Sequence, residues 1–195
     1  MASEQPLLSV DLRVDFPNKP RTLNRVSFEI HRGEILGLVG ESGSGKSTIA
    51  LAILKLLGCK CGKAAGHLLF RGRDLLAASD REMRNIRGRE MALVLQSPLS
   101  SLNPALRIGT QLAEAWSAHA QGTRSDRAAA IEGALNSVGL PQDHEFRDRF
   151  PAQISVGQAQ RVLIAMAIMH SPALLIAGNW QIPKSAGPLK RKPKF

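Results

Sequence analysis

At 195 residues the chain is long enough for one domain with a sizeable core, and its 44% apolar content is ordinary for a globular protein. The net charge of +10 hints at a polyanionic partner only until it is divided: residues 178–195 hold five basic residues and no acid, leaving 21 basic and 16 acidic residues before them. No aromatic residues punctuate the basic ones as a base-stacking surface requires, so nucleic acid is not an expected partner. No apolar run approaches the roughly 20 residues of a membrane span, residues 1–6 lack the features of a signal peptide, and Cys59 and Cys61 stand too close for a disulfide framework.

In chain order, residues 7–16 (LLSVDLRVDF) alternate as a strand does, closed by Pro17-Asn18, and residues 26–30 alternate again. Residues 34–39 (EILGLV) form a short apolar run of the kind a parallel strand buried on both faces shows. The next eight residues, Gly40-Glu41-Ser42-Gly43-Ser44-Gly45-Lys46-Ser47, fit G-x-x-x-x-G-K-[ST], the phosphate-binding loop. Residues 47–57 follow without Gly or Pro and carry Ile49, Ile53, Leu56 and Leu57 at helical spacing. Strand, loop and helix are the context this motif needs. The glycines let successive N–H groups face one point, and the helix adds its positive dipole end there. Lys46 then sits against the β- and γ-phosphates, and Ser47 offers its hydroxyl to Mg²⁺.

A Gly/Cys/Lys-rich connection over 58–66 leads to a short strand at 67–70. Ser79-Asp80-Arg81-Glu82 has capping-box spacing and starts a helix running towards Arg87. Residues 91–95 (MALVL) read as a buried strand that delivers Gln96 to its C-terminal end, followed by a polar, Pro-containing stretch over 97–104. Helical periodicity runs from 106 to 138 with a break at Gln121-Gly122-Thr123, and residues 141–151 read as a charged loop. Residues 157–170 form one helix, apolar on every side in its second half; 173–177 (ALLIA) is a last buried strand. Residues 178–195, with three prolines and two glycines, read as disordered.

Three motifs in this order resemble the nucleotide-binding subunits of ABC transporters, and within them the ATPases of oligopeptide, dipeptide and nickel importers. They are the loop in its GLVGESGSGKS form (37–47), Gln96 with its trailing S-L-N-P (101–104), and Gln153-Ile154-Ser155-Val156-Gly157-Gln158 followed by Gln160-Arg161 and an apolar helix. The resemblance implies an α/β P-loop NTPase fold with N-terminal antiparallel strands and a helical subdomain over about 100–170. It implies that Gly40 to Thr48 hold the phosphates of ATP and that Phe16 stacks on adenine. Gln96 would reach Mg²⁺ and the attacking water. Ser155, Gly157 and Gln158 would face the ATP held by a second subunit in a head-to-tail dimer. Transmembrane permease subunits would be the other partners, with the chain peripheral on the cytoplasmic face of the inner membrane.

The chain also departs from that pattern. Val156 stands where the signature has its first glycine, and a β-branched side chain hinders close approach of the backbone to a phosphate. The family's D-E-P-T, with an Asp that helps hold Mg²⁺ and a Glu that acts on the attacking water, aligns with Gly178, Asn179, Trp180 and Gln181, and no carboxylate follows Asp148. The expectation is a partial ABC domain over 1–177, truncated or frameshifted, with a non-homologous basic tail over 178–195. Such a chain binds ATP and hydrolyses it poorly. The competing expectations are a non-hydrolysing adaptor or dominant-negative partner of an intact ATPase, and a product that does not fold. An unrelated P-loop kinase is disfavoured by the signature-like 155–161.

Overall fold

The computed structural model describes residues 5–41, 43–95, 97–178 and 190–191, with 19, 20, 59, 60, 190 and 191 described by backbone alone. The chain forms two compact units: residues 1–84 together with 181–195, and residues 85–180.

The first unit is built on an antiparallel sheet of order β2-β1-β4-β5, in which β1 is Leu8–Phe16, β2 is Lys19–Ile30, β4 is Lys63–Phe70 and β5 is Arg73–Asp74. The alternation in β1 works as expected: Leu8, Val10, Leu12 and Val14 are buried, and the residues between them are not. Val10 lies opposite Phe28 on one side and Leu68 on the other, so three strands supply one apolar face. Each such side chain stabilises the sheet by about 1.5–3 kcal/mol through burial. Both β2 and β4 are longer than their sequence patterns suggest, because β1 offers a full-length template on each edge.

The apolar run at 34–39 yields a strand of only two residues, β3 (Leu36–Gly37). It was expected to be buried on both faces; instead Ile35 is 52% exposed and Val39 69%. Among the described residues its one strand partner is β8 (Lys190–Arg191), in parallel, so few neighbours cover it. After the phosphate loop comes α1 (Lys46–Ile53), shorter than its pattern, then a 3₁₀ turn (Leu57–Lys60). Here Lys55 takes φ 51° and its Nζ donates to the Leu76 carbonyl at 3.0 Å, ending the helix. At the unit boundary, α2 (Asp80–Ile86) starts with the expected capping box: Glu82 accepts from the Ser79 N–H at 2.7 Å, and Ser79 Oγ accepts from the Glu82 N–H at 3.3 Å.

The second unit pairs β6 (Met91–Val94) with β7 (Leu174–Ala177) in parallel, in register from Met91 opposite Leu174 to Val94 opposite Ala177. Between them run α3 (Pro98–Ser101), α4 (Ile108–Ser117), α5 (Arg124–Ser137), α6 (His144–Asp148) and α7 (Val156–Ile168). A parallel pair needs such a crossover. Two helices sit where loops were expected, α3 within 97–104 and α6 within 141–151. Both are single turns with too few residues to show a period; α6 is set by Asp143 as N-cap, accepting from the Phe146 N–H at 2.7 Å, and by burial of Phe146. Ile108, Leu112, Leu135, Phe146, Val162 and Ala165 form the centre of this unit's core. The strand β7, expected to be buried, leaves Leu175 43% exposed, because β6 is its only strand neighbour among the described residues. The disordered reading of 178–195 falls outside the described residues except at Gly178 and β8.

Candidate nucleotide site

The loop between β3 and α1 owes its shape to two glycines. Gly43 takes φ +82° and Gly45, the N-cap of α1, takes φ +92°, both in the left-handed region that side chains disfavour. Gly45 is buried, and a Cβ there would lie 2.3 Å from Leu23 Cδ2. A short turn, Ser44 N–H to the Glu41 carbonyl at 3.2 Å, closes the loop. Lys46 folds back over it: Nζ donates to the Gly40 carbonyl at 2.7 Å, the Glu41 carbonyl at 2.6 Å and Ser44 Oγ at 3.2 Å. An ammonium group is thereby held at the mouth of a helix N-terminus, beside orphan N–H donors. Such a cradle suits a polyphosphate, which takes charge-assisted hydrogen bonds from both.

Ser47 is exposed, in the first turn of α1, so its hydroxyl is free to meet a cation from solvent. Gly178 stands immediately past β7, with its N–H donating to the Val94 carbonyl at 3.1 Å. The ladder thus carries the chain to the position at which the family resemblance leads one to expect an Asp, and a glycine occupies it. Phe16 ends β1, half-buried, opposite Lys19, and its ring edge lies over Gly62, where a Cβ would meet Phe16 at 2.6 Å. Ser42 and Gln96 lie outside the described residues; Leu95, the residue before Gln96, is 53% exposed.

In the second unit the signature-like residues open α7. Ser155 is the N-cap: its Oγ accepts from the Gln158 N–H at 3.2 Å, and Gln158 Oε1 accepts from the Ser155 N–H at 2.9 Å. This box uses the acceptors of both side chains. It leaves the Ser155 O–H and the Gln158 amide NH₂ as donors at a helix N-terminus, a set matched to an anion. Val156 is 58% exposed, and a Cβ at Gly157 would meet nothing within 4 Å, so the face is open.

Two further residues shape these segments: Gln111, which was not singled out in the sequence, and Arg161, which was named there only as part of the third motif. Gln111 is a buried polar residue that accepts from the Asn103 N–H at 2.9 Å and donates to the Asn103 and Leu106 carbonyls at 3.0 Å each. It pins the S-L-N-P stretch that follows Gln96. The available signal was a glutamine between Ile108 and Leu112 on the apolar stripe of α4. Arg161 donates from Nη1 to the Gly139 carbonyl at 2.9 Å, tying α7 to the turn after α5.

Fold and loop together define a P-loop nucleotide-binding protein. The family model described as ABC transporter matches residues 23–180, and the chain belongs to that family. It is 43% identical to the dipeptide transport ATP-binding protein DppD of Escherichia coli over 175 residues, which are 88% of this chain and 54% of that one. It is 38% identical to the oligopeptide transport ATP-binding protein OppD of Bacillus subtilis over 171 residues, 86% of this chain and 48% of that one. The chain thus spans about half the length of the curated relatives it matches. Among solved structures, cbiO1 of Clostridium perfringens, part of the ABC transporter complex cbiONQ, has the same fold: TM-score 0.75 at 23% identity, covering 89% of this chain and 65% of that one. Among the described residues no helix is long and apolar enough to cross a membrane.

Proposed function

We propose that the chain acts as the ATP-binding subunit of an importer of peptides, nickel or a similar small solute, peripheral on the cytoplasmic face of the membrane and docked to transmembrane permease subunits. The observation that carries the nucleotide reading is the loop itself: two left-handed glycines, an α-helix N-terminus and the Lys46 ammonium converge on one point. ATP is held there through its phosphates by the N–H groups of residues 40–48 and by Lys46, which exchanges backbone carbonyls for phosphate oxygens. Mg²⁺, when bound, would neutralise phosphate charge, with Ser47 and Gln96 as its protein ligands. Ser155, Gly157 and Gln158 serve the ATP of a second subunit in a head-to-tail pair. Identity to transport ATP-binding proteins of dipeptides and oligopeptides supports the substrate class.

Hydrolysis is slow on this reading, because Gly178 and Asn179 stand where a metal-orienting and a water-activating carboxylate belong. Loss of a general base costs about 10²- to 10⁴-fold in rate. A second reading, a non-hydrolysing partner that lends Ser155–Gln158 to an intact ATPase, draws on the same position together with the open α7 face. Thermal melts with and without Mg·ATP test the binding claim. At 100 times its Kd the ligand adds about 2.7 kcal/mol of stability. A melt unmoved by Mg·ATP would sink it. Assays of an intact paralogue's turnover, with and without this chain, test the second reading: it expects a change, and an unchanged rate would sink it.

A further inference from the structure

Among the described residues, the N-terminus of α1 has no local cap. Its N-cap, Gly45, has no side chain to accept from the first turn, that turn carries no acidic residue, and the helix is only eight residues long. What meets Gly45 is the side chain of Leu23: a Cβ on Gly45 would fall against Leu23 Cδ2 and Cγ. Leu23 reaches it because the β1–β2 ladder breaks register. Leu12 pairs with Val26 and Val14 with Leu23, so two residues of β2, Asn24 and Arg25, stand against Arg13 alone. That is a bulge, and it re-aims the side chains beyond it. In the register of the earlier pairs Leu23 would lie opposite Asp15, which is exposed. The slip moves it opposite Val14, on the buried face, where it is 3% exposed. Both sides of the slip are tied down. Arg25 donates to Asp11 from Nε at 2.9 Å and Nη2 at 2.8 Å, and Asp15 Oδ1 accepts from the Arg21 N–H at 2.6 Å, with Arg21 at φ 53°.

We infer that Leu23 is a positioning residue for the phosphate site: the bulged end of the β1–β2 hairpin seats it on Gly45, so that the sheet, rather than a cap, sets where the loop turns into helix. The inference rests on the reading of that loop as a phosphate site. Orphan N–H groups bind an anion well when their directions are already set, because apparent affinity falls with the fraction of molecules in the competent form. A Ser or Asp N-cap sets those directions by accepting one of the N–H groups, and so removes a donor from the ligand. An apolar side chain pressed on the N-cap residue supplies the same order and consumes no donor.

Three variants test this: Leu23→Ala; Leu23→Met, of similar volume; and Leu12→Ala, which empties a fully buried site on the same sheet away from Gly45. Each is read twice, by hydrogen exchange without ligand and by the affinity for inorganic tripolyphosphate and for Mg·ATP, well below its melting midpoint. The reporter is the Ile49 N–H, whose bond to the Gly45 carbonyl at 3.0 Å closes the first turn of α1. In Leu23→Ala it should exchange about tenfold or more faster than in Leu12→Ala, and both ligands should bind about tenfold more weakly. Leu23→Met should keep protection and affinity near those of the parent. Should Leu23→Ala fail to fold, Leu23→Val, one methylene smaller, takes its place with the same expected signs. Equal exchange at Ile49, or equal affinities, in the Leu23 and Leu12 truncations would make Leu23 an ordinary core residue and overturn the inference, with the nucleotide reading left standing. A parent chain that binds neither ligand removes the nucleotide reading and this role of Leu23 together.

Discussion

The phosphate loop and the end of β7 are both strand-to-loop transitions on which a P-loop ATPase depends, and here they differ completely. At the first, every residue type the chemistry needs is present: Gly43 and Gly45 supply the left-handed turns, and Lys46 supplies the charge. At the second the backbone is in place, paired with β6 out to Gly178, but Gly178 and Asn179 stand where the proposed reading would need carboxylates. The lesson is that scaffold and chemistry separate. A strand is maintained by its ladder and by apolar burial, neither of which needs the carboxylates at its tip. On the proposed reading, binding rests on one contiguous loop, whereas turnover would need groups delivered from several segments.

The largest effect that would break this contrast is a gain of turnover. Placing carboxylates at the β7 end, Gly178→Asp with Asn179→Glu, is expected to raise the ATPase rate by about 10²-fold or more, the low end of what a general base contributes. A steady-state phosphate-release assay against the parent chain measures it, and an unchanged rate would mean that other parts of the machinery limit turnover. Next in size, Lys46→Ala should abolish the stabilisation by Mg·ATP, about 2.7 kcal/mol at 100 times the Kd, while leaving the ligand-free melt near that of the parent. A retained shift would move binding away from the loop.

Gly45→Ala sharpens the comparison from the fold's side. Its φ of +92° and the 2.3 Å approach to Leu23 predict a loss of about 1–3 kcal/mol in the absence of nucleotide, read by denaturant unfolding. Gly43→Ala shares the left-handed φ, but a Cβ there meets nothing within 4 Å, so its cost should be smaller. The smallest effect concerns pH. His119 packs edge-on against His170 with ring centroids 5.5 Å apart, and burial, then the His170 and Arg89 charges, hold its pKa below the ordinary 6.5. The unfolded chain therefore binds the proton more readily. Stability should be level above about pH 6.5 and decline as pH falls through that value, flattening below the folded-state pKa. Melting midpoints from pH 7.5 to 5 should show a decline that His119→Gln reduces.

How much was legible follows the range of the interactions. Caps are local: Ser79 and Glu82, spaced three residues apart in sequence, meet in the structure as that spacing implies, and Ser155 with Gln158, at the same spacing though not read as a cap in the sequence, meet in the same way. Strand burial is not local. Residues 34–39 and 173–177 read as fully buried, yet Val39 and Leu175 are exposed, because apolar composition states what a strand tolerates and its neighbours decide what it receives. Likewise α6 was hidden in a charged stretch, its reason for existing being Phe146 in a core assembled from four other segments.

The sequence by itself determined the phosphate loop, the start of α2, the alternation of β1 and the family, since each rests on residue types at short fixed spacing. Tertiary structure alone decided that Leu23 closes over Gly45, that Gln111 pins Asn103, and that Lys190–Arg191 lies along β3. Those contacts join residues from about eight to more than 150 positions apart. No local pattern records which backbone edge or cavity will be waiting when a distant segment arrives.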